Sequence, residues 1–388
     1  MNSTTHPRAL VIGGSLGGLF AATSLRAIGW DVDVFERSPH DLDSRGGGVV
    51  LQPDVLNAFR FAGINHSHAL GVRSGDRIYL DRDDRVVQRQ YMPQTQSSWN
   101  MLYGALKRAL PKALVHTAEQ LTHFEQDGDR IHAHFASGRI ETGDLLIGAD
   151  GSRSTVRKQL MPGHGPNYAG YVAWRGLVPE AQLPAAAAGV LGGTFAFQQG
   201  PGHLMLEYMI PGEDESTVAG VRRWNWVWYR SVAAGADVAL VLTDREGIRH
   251  AFSLPPGTPT DAAIAEMRQA SKDLLAPTFQ QLVDATDEPF VQAILDLQVP
   301  QMVFGRAVLL GDAAFVPRPH TAGSTAKAAA NAVALAKALR SFPSSVTKAL
   351  GEWQATQLQE GHGMTEWGMS IGDRIMGITR STASLEPA

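Results

Sequence analysis

The chain has 388 residues, of which 44% are hydrophobic and 19% charged, with a formal charge of −4 and no cysteine. Length fits one large domain or two closely joined ones, and the slight negative charge offers no broad surface for nucleic acid or an acidic membrane. Disulfides and thiolate chemistry are excluded, no stretch approaches 18 uninterrupted apolar residues, and MNSTTHPRALVIGG does not read as a secretory signal, so the expected location is the cytoplasm.

Residues 9–12 are an apolar run that meets Gly13, Gly14, Gly17 and Gly18. A helical pattern follows to about residue 28, and a second apolar run, 32–35, stops at Glu36. This strand–turn–helix–strand–acid order belongs to a dinucleotide-binding unit. Gly13 permits the tight turn, and Gly18 permits close packing of helix on strand. Backbone N–H groups at the helix start, with the positive end of its dipole, accept a pyrophosphate, while Glu36 accepts hydrogen bonds from ribose hydroxyls. The second glycine of G-x-G-x-x-G is Ser15, a residue small enough to keep the backbone approach.

Residues 44–59, SRGGGVVLQPDVLNAF, read as a glycine-rich loop lying against a ligand, with a flexible surface loop as the alternative. Residues 102–110 have helical spacing, 113–149 read as strands, and 152–160 as a helix after Asp150-Gly151. Between 167 and 300 the composition shifts. The runs 171–178, 195–199, 203–210 and 221–229 are rich in aromatic and β-branched residues and predict an inserted, mostly antiparallel sheet. Residues 262–275 read as a helix. Residues 303–315 resume a buried parallel-type strand ending at Gly311-Asp312, and helices are expected at 324–340 and 345–361. The alanine-rich 185–188 reads as a loop. The fold class is α/β (α+β): a Rossmann-like dinucleotide domain at 1–166, with a β-rich excursion around 70–100 toward the substrate side. A substrate domain follows at 167–300, and 301–388 returns to the first domain and adds carboxy-terminal helices.

Three separated segments, the glycine fingerprint ending at Glu36, GADGSRSTVR (148–157) and GRAVLLGDAAFVPRPH (305–320), together resemble the FAD-dependent aromatic-ring hydroxylases built like p-hydroxybenzoate hydroxylase. Ser15, YAGYVAWRG (168–176), the PRPH loop and EWQATQLQEGH (352–362) resemble a hydroxypyridine-hydroxylating branch. A urate-hydroxylating branch carries a similar YAGYV-x-W-x-G segment. The resemblance implies FAD bound by Gly13, Ser15, Leu16, Gly18, Glu36, Arg37, Gly48, Val49, Asp150, Gly311, Asp312, Pro319, Ala322, Gly323, Ser324 and Thr325. It also implies NADH or NADPH as co-substrate, O2, and a flavin C4a-hydroperoxide that hydroxylates a small electron-rich ring, with a homodimer as the possible assembly. The chain departs from the family pattern at Phe315 (commonly His), at Ala322-Gly323-Ser324 (commonly Gly-Gln-Gly), at Asn331 (commonly an acid) and at Asn100 (commonly Arg).

Candidates for the chemistry are His203 and Tyr208 in the inserted sheet and Arg318 and His320 in the PRPH loop. His203 orients or deprotonates a ring hydroxyl, or is a turn histidine. Tyr208 meets a ring hydroxyl, or is a structural sheet tyrosine. Arg318 or Arg175 neutralises an anionic substrate or reduced flavin, with a sheet-edge salt bridge as the alternative for Arg175. Trp224, Trp226 and Trp228 share one strand face and are expected in core or interface packing, with the wall of an aromatic pocket as the alternative. The pairs His66/His68 and His132/His134 lack added acids at ligand spacing, so no metal site is expected. Alternatives to the hydroxylase are a flavin oxidase or reductase without oxygen transfer, and a non-catalytic flavin-binding sensor.

Overall fold

A computed structural model describes residues 6–40, 42, 47–65 and 69–379. The opening unit is β1 (Arg8–Ile12), α1 (Leu16–Arg26) and β2 (Asp31–Phe35). β3 (Gly48–Val50) and α2 (Pro53–Phe61) precede a long hairpin, β4 (Val72–Leu80) and β5 (Val86–Ser98). Next come α3 (Trp99–Arg108), β6 (Val115–His116), β7 (Leu121–Asp127), β8 (Arg130–Phe135), β9 (Ile140–Gly143), β10 (Leu145–Gly148) and α4 (Thr155–Leu160). The inserted region holds β11 (Asn167–Pro179), α5 (Ala185–Leu191), β12 (Thr194–Gly200), β13 (His203–Ile210) and β14 (Arg223–Ser231). It continues with α6 (Ala236–Val241), β15 (Ser253–Leu254), α7 (Asp261–Leu274), α8 (Pro277–Asp284) and β16 (Phe290–Asp296). β17 (Val303–Phe304), β18 (Ala307–Leu309), α9 (Ser324–Ser341) and α10 (Val346–Met376) complete the order.

Two sheets organise the molecule. The first has the order β17-β18-β10-β1-β2-β6 and is parallel except for the β17–β18 hairpin. Its strand ends are in line: Ile12 pairs with Phe35 and with Gly148, and Gly148 with Leu309. Gly13, Glu36, Ala149 and Leu310 therefore leave the sheet side by side at its carboxyl edge, where α/β sheets bind ligands. The second sheet has nine strands, order β15-β16-β11-β14-β13-β12-β4-β5-β3, antiparallel except for β12–β4. It thus joins the 70–100 hairpin to the inserted strands.

Strand alternation gives this second sheet two unlike faces. Trp174, Trp224, Trp226 and Trp228 pack with Met205 and Met209 against α7 and α8 in one core. Tyr171, Phe195, Phe197, Tyr208 and Tyr229 lie on the other face, with Val50, Ala322 and Met376 against them. The tryptophans are core residues, at most 2% exposed.

Three element expectations are corrected. Residues 185–188 belong to α5, whose Ala187 and Leu191 are buried. The segment 44–59 is not one loop: residues 43–46 lie outside the described residues, 48–50 form β3, and Pro53 at the first helical position opens α2. The last helix runs to Met376, 15 residues beyond the expected end. Its glycines hid it, since each weakens a helix by about 1 kcal/mol relative to alanine. Packing explains them: a Cβ at Gly361 would sit 2.5 Å from the Phe315 ring, and one at Gly372 2.8 Å from Arg318 Nη1.

Candidate active site

The glycine turn is built by steric demand. Gly13 has φ +109°, and a Cβ there would lie 2.4 Å from the Ala149 carbonyl oxygen. A Cβ on Gly18 would lie 1.8 Å from the Gly13 carbonyl oxygen. Glu36 reaches back over the turn, its Oε2 accepting from Gly14 N–H at 2.8 Å and its Oε1 from Ser38 N–H at 2.8 Å. Ser15, at the second fingerprint position, is extended (φ −83°, ψ −175°) and needs no glycine conformation.

A cleft of about 410 Å³ opens over this edge. It is lined by Gly13, Ser15, Leu16, Glu36, Arg37, Asp150, Gly311, Asp312, Ser324 and Thr325 among the expected residues. Phe35, Trp99, Gln120 and Ala328 also line it and carried no sequence signal. Gly18 packs behind the turn, Gly48 and Val49 lie in β3, and Pro319, Ala322 and Gly323 lie in the loop beyond Asp312.

The residues fit an FAD. Helices α1 and α9 both begin at the cleft with no side-chain cap and no acid in the first turn, which leaves N–H groups and positive dipole ends for a pyrophosphate. Asp150 Oδ2 accepts from Thr155 N–H (2.6 Å), while its buried Oδ1 has no partner among the described residues. Burial raises the Asp150 pKa despite these backbone donors. Asp312 Oδ1 accepts from Ser324 Oγ (3.1 Å) and Lys327 Nζ (2.9 Å), and burial lowers the Lys327 pKa. Arg157 ties the two acidic corners together, donating to the carbonyls of Ser152 and Ala313.

Three departures from the family pattern have a structural account. Asn331 Oδ1 accepts from Gly311 N–H at 3.2 Å and its Nδ2 donates to Gln357 at 2.6 Å, so an amide bolts the Gly-Asp corner to α10. Ala322 keeps the left-handed conformation a glycine would take (φ 51°, ψ 22°), at roughly 1–2 kcal/mol. Phe315 fills the notch at Gly361 and meets the His362 ring edge-on. Asn100 sits in the first turn of α3 with its Oδ1 buried and unpartnered among the described residues.

The four chemical candidates separate. Tyr208 and His320 come to the same face, which the PRPH loop covers. His320 Nε2 is 2.9 Å from Tyr171 Oη, and its ring lies 4.6 Å from Tyr229. Burial, then the charge of Arg318, lowers the His320 pKa to about 4. His203 is on the opposite face, where Trp228 Nε1 donates to its Nδ1 at 3.3 Å; the structure does not bring it to the loop. Arg318 is not available to an anion. Its side chain is 1% exposed, with Nε and Nη2 on Asp296 and Nη1 on Asp373, each at 2.7 Å. Burial alone would lower its pKa, yet Asp296 and Asp373 raise it.

His132 and His134 both lie on β8, where His132 bonds Thr142 and His134 stacks on His123. His66 and His68 lie outside the described residues.

His320 gives a testable pH dependence. Its folded pKa is below the unfolded value of about 6.5, so the unfolded chain binds more protons between pH 6.5 and 4. The stabilisation is complete above pH 6.5 and is lost as pH falls toward 4, by about 2–3 kcal/mol. Urea melts across this window should show the slope, and His320→Gln should remove it.

The fold and cleft define a dinucleotide-binding protein. A family profile described as FAD binding domain-like matches residues 168–296. The chain is 34% identical over 366 residues to the 2,6-dihydroxypyridine 3-monooxygenase of Paenarthrobacter nicotinovorans, covering 93% of this chain and 89% of that one. It is 28% identical to the 6-hydroxynicotinate 3-monooxygenase of Pseudomonas fluorescens, over 86% and 83% of the two chains. The solved 2,6-dihydroxypyridine-3-hydroxylase of Arthrobacter nicotinovorans superposes with a TM-score of 0.91 at 32% identity, over 99% of this chain and 96% of that one. The chain belongs to the FAD-dependent aromatic-ring monooxygenases. Its cofactor is FAD, and NAD(P)H is the co-substrate typical of these monooxygenases. Among the described residues no helix is long and apolar enough to cross a membrane.

Proposed function

We propose that the protein hydroxylates a small hydroxylated N-heteroaromatic ring, a hydroxypyridine or near relative. The observation that carries this reading is the aromatic face of the second sheet. Phe195, Phe197, Tyr208 and Tyr229 offer flat apolar walls to a ring, with phenol and imidazole groups to read its hydroxyls. The two relatives that act, by their names, on a dihydroxypyridine and on 6-hydroxynicotinate support the same class.

Bound FAD supplies the oxygen-transfer chemistry. The cleft residues hold it: the starts of α1 and α9 take the pyrophosphate and ribityl side, and Glu36 and Asp312 take hydroxyls. The aromatic face orients the ring and keeps water away. Tyr208 hydrogen-bonds a ring hydroxyl. Neutral His320 and Tyr171 form a two-member path in which Tyr171 Oη takes the proton of the ring hydroxyl as it gives its own to His320 Nε2, leaving an imidazolium and the ring oxyanion. Arg318 is a positioning residue, fixing the loop that carries His320. In this reading residues 1–166 and 301–388 form the cofactor part and 167–300 the substrate part, the protein is cytoplasmic, and the assembly is a homodimer. Trp353 is buried within its own chain, so an interface through α10 would rest on exposed Trp367.

A panel of hydroxypyridines and homocyclic phenols tests the substrate class. The expected result is NAD(P)H oxidation stimulated by a hydroxypyridine, with one ¹⁸O atom from ¹⁸O2 in the product. Stimulation and labelling by phenols alone would overturn the heteroaromatic assignment. Stimulated oxidation yielding only H2O2 across the panel would show that none of these rings is the substrate.

A further inference from the structure

We propose that Arg175, with Asn225, forms an anion subsite that takes the substrate ring in its oxyanion form. This deepens the reading above and rests on it for the identity of the ring.

Arg175 lies on β11, facing the same side of the sheet as Tyr208 and Tyr229, between Val227 and Phe290 in register. Among the described residues its buried Nε has no hydrogen-bond partner and no carboxylate pairs with it. Other cations near this face are engaged. Arg318 is held by two aspartates, and Arg77, whose Nε also has no partner among the described residues, lies over the Phe195 and Phe197 rings and donates to Gln94 through Nη2. Asn225 is fully buried; its Oδ1 accepts from Gly48 N–H at 2.8 Å, and its side chain also faces the Tyr208 hydroxyl. The two groups meet at one place. A Cβ built on Gly47 would be 3.2 Å from both Arg175 Nη1 and Asn225 Oδ1.

A buried cationic donor with no acceptor among the described residues, as at Arg175 Nε, is costly unless something supplies one. A ring oxyanion does so, and a guanidinium holds it through charge-assisted hydrogen bonds. Ionisation also makes the ring more electron-rich, which suits attack by an electrophilic oxygen. The same charge offsets part of the effect of burial on the Tyr208 and Tyr229 phenols. Tyr208 reaches the subsite too, since a Cβ on Gly48 would be 2.8 Å from its Oη.

The test titrates FAD-loaded enzyme with 2,6-dihydroxypyridine and with 2,6-dimethoxypyridine, which cannot ionise, following the flavin absorbance. Wild type is expected to bind the dihydroxy compound at least about 30-fold more tightly. Arg175→Met should reduce the ratio below about 3, with Arg175→Lys between, at unchanged FAD content. Sodium azide should compete with the dihydroxy compound in wild type, an arm that needs no variant. Unchanged discrimination in Arg175→Met overturns the proposal, as does loss of FAD in place of ligand discrimination. If wild type binds neither pyridine, the heteroaromatic reading fails by itself. The anion subsite then stands if azide perturbs the flavin spectrum in wild type but not in Arg175→Met, and falls if wild type ignores azide.

Discussion

Arg318→Met should lower the unfolding free energy by about 3–5 kcal/mol. The guanidinium is the shared partner of Asp296, at the end of β16, and Asp373, in the last turn of α10. It also lies 5.4 Å from the Tyr171 ring centroid. Removing it takes the shared guanidinium away from two carboxylates, each no more than 17% exposed. Arg318→Lys keeps a charge but cannot span both aspartates with a planar fork, so it should recover only part of the loss. Urea unfolding measures both. A decrease below about 1 kcal/mol for Arg318→Met would show that the network is no more than an exposed ion pair in effect. The loss should appear in stability first, because the side chain is sealed from the ring it was expected to neutralise.

Gly18→Ala should abolish tight FAD binding, with affinity down at least about 100-fold, and destabilise the fold by about 1–3 kcal/mol. The new methyl would fall 1.8 Å from the Gly13 carbonyl oxygen and 3.2 Å from Val11 Cγ1. Both neighbours belong to the strand and turn that set the cleft, so α1 must move away and carry its N–H groups with it. Gly17→Ala is the control. Its methyl meets only Leu310, Ala328 and Ala149, at 3.7–4.0 Å, so the helix keeps its place. Retained flavin absorbance on purification, with fluorescence-monitored FAD titration, reads both variants. A Gly18→Ala protein that emerges yellow with wild-type affinity would falsify the reading of this turn.

The parts of the molecule written in local rules were legible in the sequence. Period-two alternation in 203–210 and 221–229 located β13 and β14 and put the tryptophans on one face. The glycines at 13 and 18 announced their turn because only steric demand explains them there. Long-range arrangement was not legible. No local pattern says that Asp296 and Asp373, 77 positions apart, converge on Arg318, so a buried clamp looked like a free cation. His203 looked suitable by residue type, but strand parity places it with Trp228 and away from Tyr208. The second half of α10 was missed because its glycines serve neighbours far away in the chain, Phe315 and Arg318, against their own helical propensity.

The two-sided character of the nine-stranded sheet has a bearing on how such an enzyme changes over time. One large core rests on the side bearing Trp174, Trp224, Trp226 and Trp228, whereas the proposed ligand contacts fall on the other side, to odd-numbered neighbours such as Arg175 and Asn225. Mutations on one side therefore have little purchase on the other. A lineage built on this plan is free to drift from one small ring to another without first surrendering its capacity to fold.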